Sequence, residues 1–97
     1  MRVISRRVLR DFWQIHAEAE GKLSAWYKVV ESANWTTFHE LRGTFPSADQ
    51  VGRLVVFNVS SYRVIARVWY EKGMVYIRGA LTHQEYDRDK WKNDPWF

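Results

Sequence analysis

Hydrophobic residues recur with two different periods along this chain, and the period changes near its middle. Before position 34 they follow helical spacing, in one stripe that begins at Val8 and a second that begins at Leu23. After position 52 they alternate with polar residues, as along the strands of a sheet, in three runs. The pattern predicts helices over 6–16 and 19–33 and strands over 53–59, 62–70 and 74–81.

Short polar signals predict where further elements begin and end. Ser5 is a candidate cap for the first helix, and the T-x-x-E pattern from Thr37 to Glu40 predicts a short third helix. The E-K-G sequence at 71–73 predicts a hairpin turn, and residues 1–4 predict an edge strand. Helices followed by an antiparallel sheet indicate an α+β fold, in which the helices pack on one face of the sheet.

The composition favours one ordered domain without a cofactor. The 97 residues are 46% hydrophobic and 16% aromatic, which predicts a single domain over 1–97 with one modest core. The chain has no cysteine, and its histidines at 16, 39 and 83 show no ligand spacing, so we expect no metal and no cofactor, with carboxylate-bound Mg²⁺ as the alternative. It has no apolar run long enough for a signal peptide or for crossing a membrane, so we expect a cytoplasmic protein.

The net charge of +4 is concentrated in the predicted sheet. Residues 53–78 carry five basic groups and one acidic group, whereas the charges of the remaining chain balance. Alternation along the strands gives one small aliphatic face, which suits packing under the helices. The other face suits the binding of single-stranded RNA, because guanidinium groups pair with phosphates and aromatic rings stack on bases. The alternative is that this face is solvated or forms a protein interface. That face collects Arg63, Arg67, Trp69, Tyr76 and Arg78.

His83 is the leading candidate for proton transfer, because it follows the third strand near the end of the arginine-bearing face. An imidazole changes its charge near neutral pH, although a lone histidine after a strand is more often a cap or a surface residue. Tyr86 shares a side with His83 if residues 82–87 form a helical turn. Lys90 and Lys92 offer contacts to phosphate.

Several stretches, taken together, resemble one known family. They are M-R-V-I-S-R-R-V-L-R-D-F-W at the start, A-W-Y-K-V-V in the second helix, F-P-S-A-D-Q-V-G-R-L-V-V-F-N, Y-R-V-I, V-Y-I-R and T-H-Q-E-Y-D. In this combination and order the chain resembles HigB-type toxins of bacterial type II toxin–antitoxin systems, within the RelE-like superfamily. The resemblance implies a small antiparallel sheet with N-terminal helices and an endoribonuclease that cleaves messenger RNA on the ribosome. It also implies a HigA-type helix-turn-helix antitoxin as the partner.

The resemblance implies a site as well. The family motifs Y-R-V-I, V-Y-I-R and T-H-Q-E-Y-D correspond here to Arg63, Arg78, His83 and Tyr86. RNA can be cut without a metal when its 2′-hydroxyl attacks the adjacent phosphate, which requires a base, an acid and cations. We therefore expect His83 to make one proton transfer, the two arginines to stabilise the phosphate, and Tyr86 to stack on or orient the nucleotide. The expected RNA-binding residues are Arg67, Trp69, Tyr76, Lys90 and Lys92.

The turn before Arg63 departs from the family pattern. Family members commonly have a turn that contains Gly-Asn, whereas this chain has Ser60 and Ser61, which predicts a tighter hairpin. The competing hypothesis is a non-catalytic RNA- or protein-binding module, including a degenerate toxin that still binds its antitoxin. The aromatic residues Trp96 and Phe97 either dock on the domain or contact a partner.

Overall fold

The computed structural model describes all 97 residues and has the predicted α+β architecture. Its helices are α1 (Arg6–Ile15), α2 (Glu20–Ser32), α3 (Phe38–Thr44) and α4 (His83–Asp87), with 3₁₀ turns at Ala17–Ala19, Tyr70–Lys72 and Lys90–Asn93. Its strands are β1 (Arg2–Ile4), β2 (Asp49–Val51), β3 (Leu54–Val59), β4 (Tyr62–Trp69) and β5 (Met74–Thr82). None of the helices is both long enough and apolar enough to cross a membrane.

The strands form one sheet in the order β1-β5-β4-β3-β2. The edge strand β1 runs parallel to β5, with Arg2 opposite Met74, and all other neighbours are antiparallel. The predicted strands and helices are confirmed, with small differences at their ends; Tyr70, for example, lies in the 3₁₀ turn instead of β4. The sequence did not reveal β2, because three residues are too few to show a period.

Local hydrogen bonds define the helix ends, and one prediction about them was wrong. Ser5 precedes α1 in the left-handed conformation (φ 73°), and its side chain makes no capping hydrogen bond. The start of α1 therefore depends on the packing of Leu9 and Phe12 below it. The predicted cap of α3 is confirmed, since the Thr37 hydroxyl accepts a hydrogen bond from the Glu40 backbone N–H at 3.2 Å.

One face of the sheet packs against the helices, as its small aliphatic side chains predict. Phe57 lies fully buried at its centre, with the Trp26 ring 5.1 Å away and the Phe45 ring 5.3 Å away, both edge to face. The other members of this layer come from both the helices and the strands. They include Leu9, Leu23, Val30, Val64, Ala66, Val68, Val75 and Ile77.

A β-bulge interrupts the pairing of β4 with β5. Ile65 pairs with Gly79 and Ala66 pairs with Ile77, so Arg78 is the extra residue and has no partner on β4. A bulge reverses the alternation of side chains beyond it. Leu81 consequently packs on the face opposite the helices, and Arg78 and Gly79 both lie on that face.

The face opposite the helices is partly covered by the chain itself. Buried Leu54, Val56 and Ile65 form a second, smaller core on this side, and the aromatic rings of Tyr86, Trp91, Trp96 and Phe97 pack against it. Arg53 donates hydrogen bonds to the carbonyl oxygens of Phe97 at 3.0 Å and Pro95 at 3.1 Å. Trp96 and Phe97 therefore dock on the domain, which was one of the two alternatives left open by the sequence.

The hairpin between β3 and β4 is as tight as the serines at 60 and 61 predict. Val59 pairs with Tyr62, which leaves a turn of two residues, and Ser60 adopts a positive φ of 58°. A left-handed conformation costs about 1–2 kcal/mol for a residue with a Cβ, and glycine avoids this cost.

We expect Ser60→Gly to stabilise the fold by about 1 kcal/mol, which corresponds to a rise in Tm of about 4–8 °C for a domain of this size. Thermal unfolding followed by circular dichroism would measure the rise. Ser61→Gly is the matched control, because Ser61 has no positive φ and glycine there only increases the entropy of the unfolded chain. A lower Tm for Ser60→Gly than for wild type would contradict the prediction.

Candidate functional site

α4 fixes the position of His83 relative to Tyr86. Thr82 and Glu85 form a capping box, in which the Thr82 hydroxyl accepts from the Glu85 N–H at 3.2 Å and Glu85 Oε1 accepts from the Thr82 N–H at 2.9 Å. His83 is thus the first residue of the helix, and Tyr86 lies one turn later on the same side. The conditional prediction of a helical turn over 82–87 is confirmed.

Arg63, His83 and Tyr86 converge on this end of the sheet. Arg63 Nη2 lies 3.4 Å from His83 Nδ1, and its guanidinium carbon lies 5.7 Å from the centroid of the Tyr86 ring. The Arg63 Nη1 also donates to the Tyr62 carbonyl at 3.0 Å, which orients the guanidinium. His83 keeps 60% of its side chain exposed, so a polyanion can reach this group, which we call the Arg63–His83–Tyr86 cluster.

Asp87 extends the cluster and was missed by sequence reasoning. Its Oδ2 lies 3.2 Å from His83 Nε2, at the i,i+4 spacing that brings side chains together on a helix. If the imidazole is neutral, this contact places its proton on Nε2 and leaves the Nδ1 lone pair facing Arg63. The spacing from His83 to Asp87 in the sequence was the signal that could have revealed this partner.

Tyr86 is held by a second aromatic ring. It stacks on Trp91 with ring centroids 5.3 Å apart and planes 12° apart, while Trp91 Nε1 donates to the Tyr86 carbonyl at 3.1 Å. The Tyr86 hydroxyl itself makes no hydrogen bond within the chain. Its ring is therefore fixed in place while its phenolic O–H is free to act on a ligand.

Arg78 lies beside a different set of residues. Its Nε donates to Asp94 Oδ2 at 3.0 Å and Oδ1 at 3.3 Å, and its guanidinium lies 4.1 Å from the centroid of the Trp96 ring. No direct contact joins Arg78 to the Arg63–His83–Tyr86 cluster, and Arg78 is separated from Thr82 by about 13 Å of strand. The structure thus brings together three of the four predicted catalytic residues and places the fourth further along β5.

The predicted RNA-binding aromatics form a packed group. Trp69 and Tyr76 meet edge to face at 5.0 Å, and Trp96 contacts them at 5.7 and 5.3 Å respectively. Arg67 lies over the Trp69 ring at 5.3 Å, with Lys72 5.4 Å from the same ring. Of the two predicted lysines, Lys92 pairs with Asp89 at 3.3 Å, and Lys90 lines the pocket described below.

A pocket of about 400 Å³ separates Arg78 from α4. It begins at the bulge and reaches Trp91, whose ring stacks on Tyr86 of the Arg63–His83–Tyr86 cluster, although no residue of the cluster lines it. Its walls combine apolar atoms with charges of both signs. It is lined by Ile65, Arg78, Gly79, Leu81, Glu85, Arg88, Lys90, Trp91 and Asp94.

Two pKa values are displaced where Tyr62, at the start of β4, meets Glu18 on the helical side of the sheet. Burial raises the pKa of Tyr62, whose hydroxyl donates to Glu18 at 3.0 Å. A backbone hydrogen bond and then the Tyr62 hydroxyl lower the pKa of Glu18. A carboxyl group whose pKa is lowered in the folded state contributes stability that is lost as the pH falls through that pKa. The contact between Glu18 and Tyr62 therefore weakens in acid, and it is separate from the Arg63–His83–Tyr86 cluster.

The sequence from residue 19 to residue 89 matches the family model for HigB toxin, described as the RelE-like toxic component of a toxin–antitoxin system. The chain belongs to the HigB family. It is also 32% identical over 92 residues to the mRNA interferase toxin HigB of Escherichia coli K12, a match that covers 90% of this chain and 88% of that protein. The mRNA interferases HigB of Escherichia coli O157:H7 and Shigella flexneri match to the same extent.

Family membership confirms the predicted kind of protein, a HigB-type toxin of a toxin–antitoxin system and an endoribonuclease. The matched region of this HigB-family toxin contains Arg63, Arg78, His83 and Tyr86. Trp91, Asp94 and Trp96 lie beyond it, so the contacts that hold Tyr86 and Arg78 come partly from outside the matched region. Spacing along the sequence gave no signal for these contacts, because they depend on how residues 91–96 fold back on α4 and β5.

Proposed function

We propose that this HigB-family toxin cuts messenger RNA at the Arg63–His83–Tyr86 cluster, by attack of a ribose 2′-hydroxyl on the adjacent phosphate. The observation that carries the proposal is the approach of the Arg63 guanidinium to His83 Nδ1 at 3.4 Å, beneath the Tyr86 ring. A phosphate bound to Arg63 would lie within reach of both the imidazole and the phenol. The relatives named mRNA interferase support messenger RNA as the substrate.

His83 acts as the base in this proposal. The neutral imidazole donates Nε2–H to Asp87, and its Nδ1 lone pair takes the 2′-hydroxyl proton once the Arg63 guanidinium has turned from Nδ1 to the phosphate. The 2′-oxygen then bonds to phosphorus, Arg63 stabilises the added negative charge, and the bond from phosphorus to the 5′-oxygen breaks. The free Tyr86 hydroxyl protonates the departing 5′-oxygen. The products are a 2′,3′-cyclic phosphate and a 5′-hydroxyl, and the residues of the cluster supply each proton transfer without a metal.

Arg78 binds the neighbouring nucleotide in this proposal, which departs from its expected place on the scissile phosphate. Its Nε is held by Asp94, and the length of strand between Arg78 and His83 favours two adjacent positions on the RNA. Arg67, Lys72, Lys90 and Lys92 lie around the same face and attract the backbone through their charge. Binding should accordingly weaken as the salt concentration rises.

The proposed setting is a translating ribosome, with a HigA-type helix-turn-helix antitoxin as the inhibitor. The test is to express the toxin from a tightly repressed promoter and map the 5′ ends of cellular transcripts. New ends confined to translated frames would support ribosome-linked cleavage, whereas ends spread equally over untranslated RNA would contradict it. Purified toxin acting on a ribosome-bound message should give 2′,3′-cyclic phosphate ends; product without them would overturn the mechanism.

Asp87→Asn is expected to lower turnover by about two- to fivefold, because asparagine keeps an acceptor for His83 Nε2–H but cannot stabilise the imidazolium by charge. The effect is small because both side chains are 60% exposed, and exposed ion pairs contribute about 0.2–1 kcal/mol. Single-turnover cleavage rates would measure it. Asp89→Asn is the matched control, since Asp89 pairs with Lys92 instead, and an equal loss in both variants would contradict a specific role for Asp87.

A further inference from the structure

We propose that the pocket between Arg78 and α4 binds one nucleobase of the RNA and selects guanine. This inference rests on the proposed function, because it adds a base-recognition subsite beside the Arg63–His83–Tyr86 cluster. The pocket volume of about 400 Å³ falls within the range of about 300–1,000 Å³ that is typical of small-molecule sites. Its walls offer what a flat aromatic base requires, namely apolar surface below and polar groups at the edge.

The floor of the pocket is open because residue 79 is glycine. Gly79 faces the pocket through the bulge, and a Cβ built there would meet no atom within 4 Å. The backbone at Gly79 does not have a positive φ, so its conformation does not require glycine. A side chain at 79 would therefore extend into the pocket without disturbing the protein. Ile65 and Leu81 flank this floor with apolar atoms.

Acceptors and donors that have no partner within the chain line the edge of the pocket. Glu85 uses Oε1 for the capping box, and its Oε2 makes no hydrogen bond within the chain. Arg78 donates to Asp94 only through Nε, which leaves both Nη groups as donors, and the Arg88 side chain makes no hydrogen bond. The pocket thus presents one free carboxylate oxygen, since Asp94 is engaged by Arg78, together with two guanidinium donors and the Lys90 ammonium.

Guanine is the base that satisfies both kinds of group. Its O6 and N7 accept from arginine, the commonest specific contact between a side chain and a base. Its N1–H and N2–H₂ lie side by side and can both donate to Glu85 Oε2, the oxygen that the capping box leaves free, whereas adenine and cytosine each offer one amino group and uracil offers one N–H. Single-stranded RNA exposes both edges of an unstacked base, as this pairing requires.

The test is titration of the full chain with GMP, AMP, CMP and UMP, followed by the chemical shifts of backbone amides in residues 78–94. We expect GMP to bind about tenfold more tightly than the other three nucleotides, which corresponds to about 1.4 kcal/mol. Gly79→Val should abolish GMP binding, because its branched side chain would occupy the floor on which the base packs. Gly43→Val on α3 is the matched control, because a Cβ there also meets no atom within 4 Å.

Glu85→Gln tests the selectivity separately from the pocket. Glutamine can replace glutamate in a capping box, so α4 should persist, but the free oxygen becomes an amide donor that opposes guanine N1–H. The preference for GMP should fall to about twofold or less. Equal binding of all four nucleotides to wild type, no binding at all, or GMP binding that survives Gly79→Val would each overturn the inference.

The two proposals fail in distinguishable ways. A toxin that binds GMP in the pocket but leaves RNA uncut refutes the proposed cleavage and supports the subsite. A toxin that cuts RNA at the same rate and with the same sequence preference after Gly79→Val refutes the subsite and leaves the cleavage mechanism standing.

Discussion

Replacing His83 with alanine is expected to lower the rate of RNA cleavage by about 10²- to 10⁴-fold, the usual contribution of a general acid or base. The imidazole is the group whose Nδ1 faces Arg63, and its removal leaves Tyr86, the proposed acid, as the only other proton-transferring group of the Arg63–His83–Tyr86 cluster. The fold should persist, because His83 is exposed and its backbone position depends on the Thr82–Glu85 capping box. Cleavage of a ribosome-bound message by purified toxin would measure the rate.

His39→Ala is the matched control for this variant. His39 is also an exposed histidine near the start of a short helix, but α3 lies away from the cluster. The same pair can be compared in cells through the 5′ ends of transcripts, which should vanish for His83→Ala and persist for His39→Ala. A folded His83→Ala toxin that cuts at the wild-type rate would remove His83 from the mechanism and return the choice of base to Tyr86.

Arg63→Ala is expected to lower turnover by about 10²- to 10³-fold while weakening RNA binding far less, because its guanidinium acts where charge develops on the phosphate. Arg63 contributes little to the fold through its side chain, apart from the hydrogen bond to the Tyr62 carbonyl at 3.0 Å. Single-turnover rates at saturating toxin would report the chemical step, and a filter-binding titration would report affinity. Arg63→Lys should recover part of the turnover, since lysine keeps the charge but lacks the planar fork.

Arg10→Ala controls for the loss of one positive charge. Arg10 is exposed on α1, so its removal should weaken RNA binding only through the long-range field of the protein. If Arg63→Ala weakened binding in proportion to cleavage, Arg63 would be a binding residue without a specific role in the transition state. Such a result would move the phosphate site towards Arg78.

The 90–97 segment covers part of the arginine-bearing face of the sheet. A solvated sheet face would present Trp69 and Tyr76 for stacking on bases, but Trp96 packs against both rings. Asp94 likewise holds Arg78 by its Nε. This face of the sheet therefore has two openings, the Arg63–His83–Tyr86 cluster and the adjoining pocket, instead of a continuous platform of rings.

Much of the fold was predictable because its signals are local. Helical spacing from Val8 and Leu23 defined α1 and α2, and alternation defined β3, β4 and β5. The failures were also local: Ser5 does not cap its helix, and β2 was too short to show a period. The family motifs located Arg63, His83 and Tyr86, and the T-x-x-E pattern from Thr82 to Glu85 is the local signal for α4.

The sequence by itself determined the order of elements, the helix-facing core and the family, because each depends on residue type and spacing along the chain. Only the tertiary structure decided that the bulge places Arg78 beside Gly79 on one face and that Asp94 holds Arg78. Only the structure showed that Trp91 stacks on Tyr86. These contacts join residues through pairing register and through docking of the 90–97 segment on the sheet. Neither the pairing register nor this docking produces a periodic pattern in the sequence, since both depend on the shape of the surface that the folded strands create.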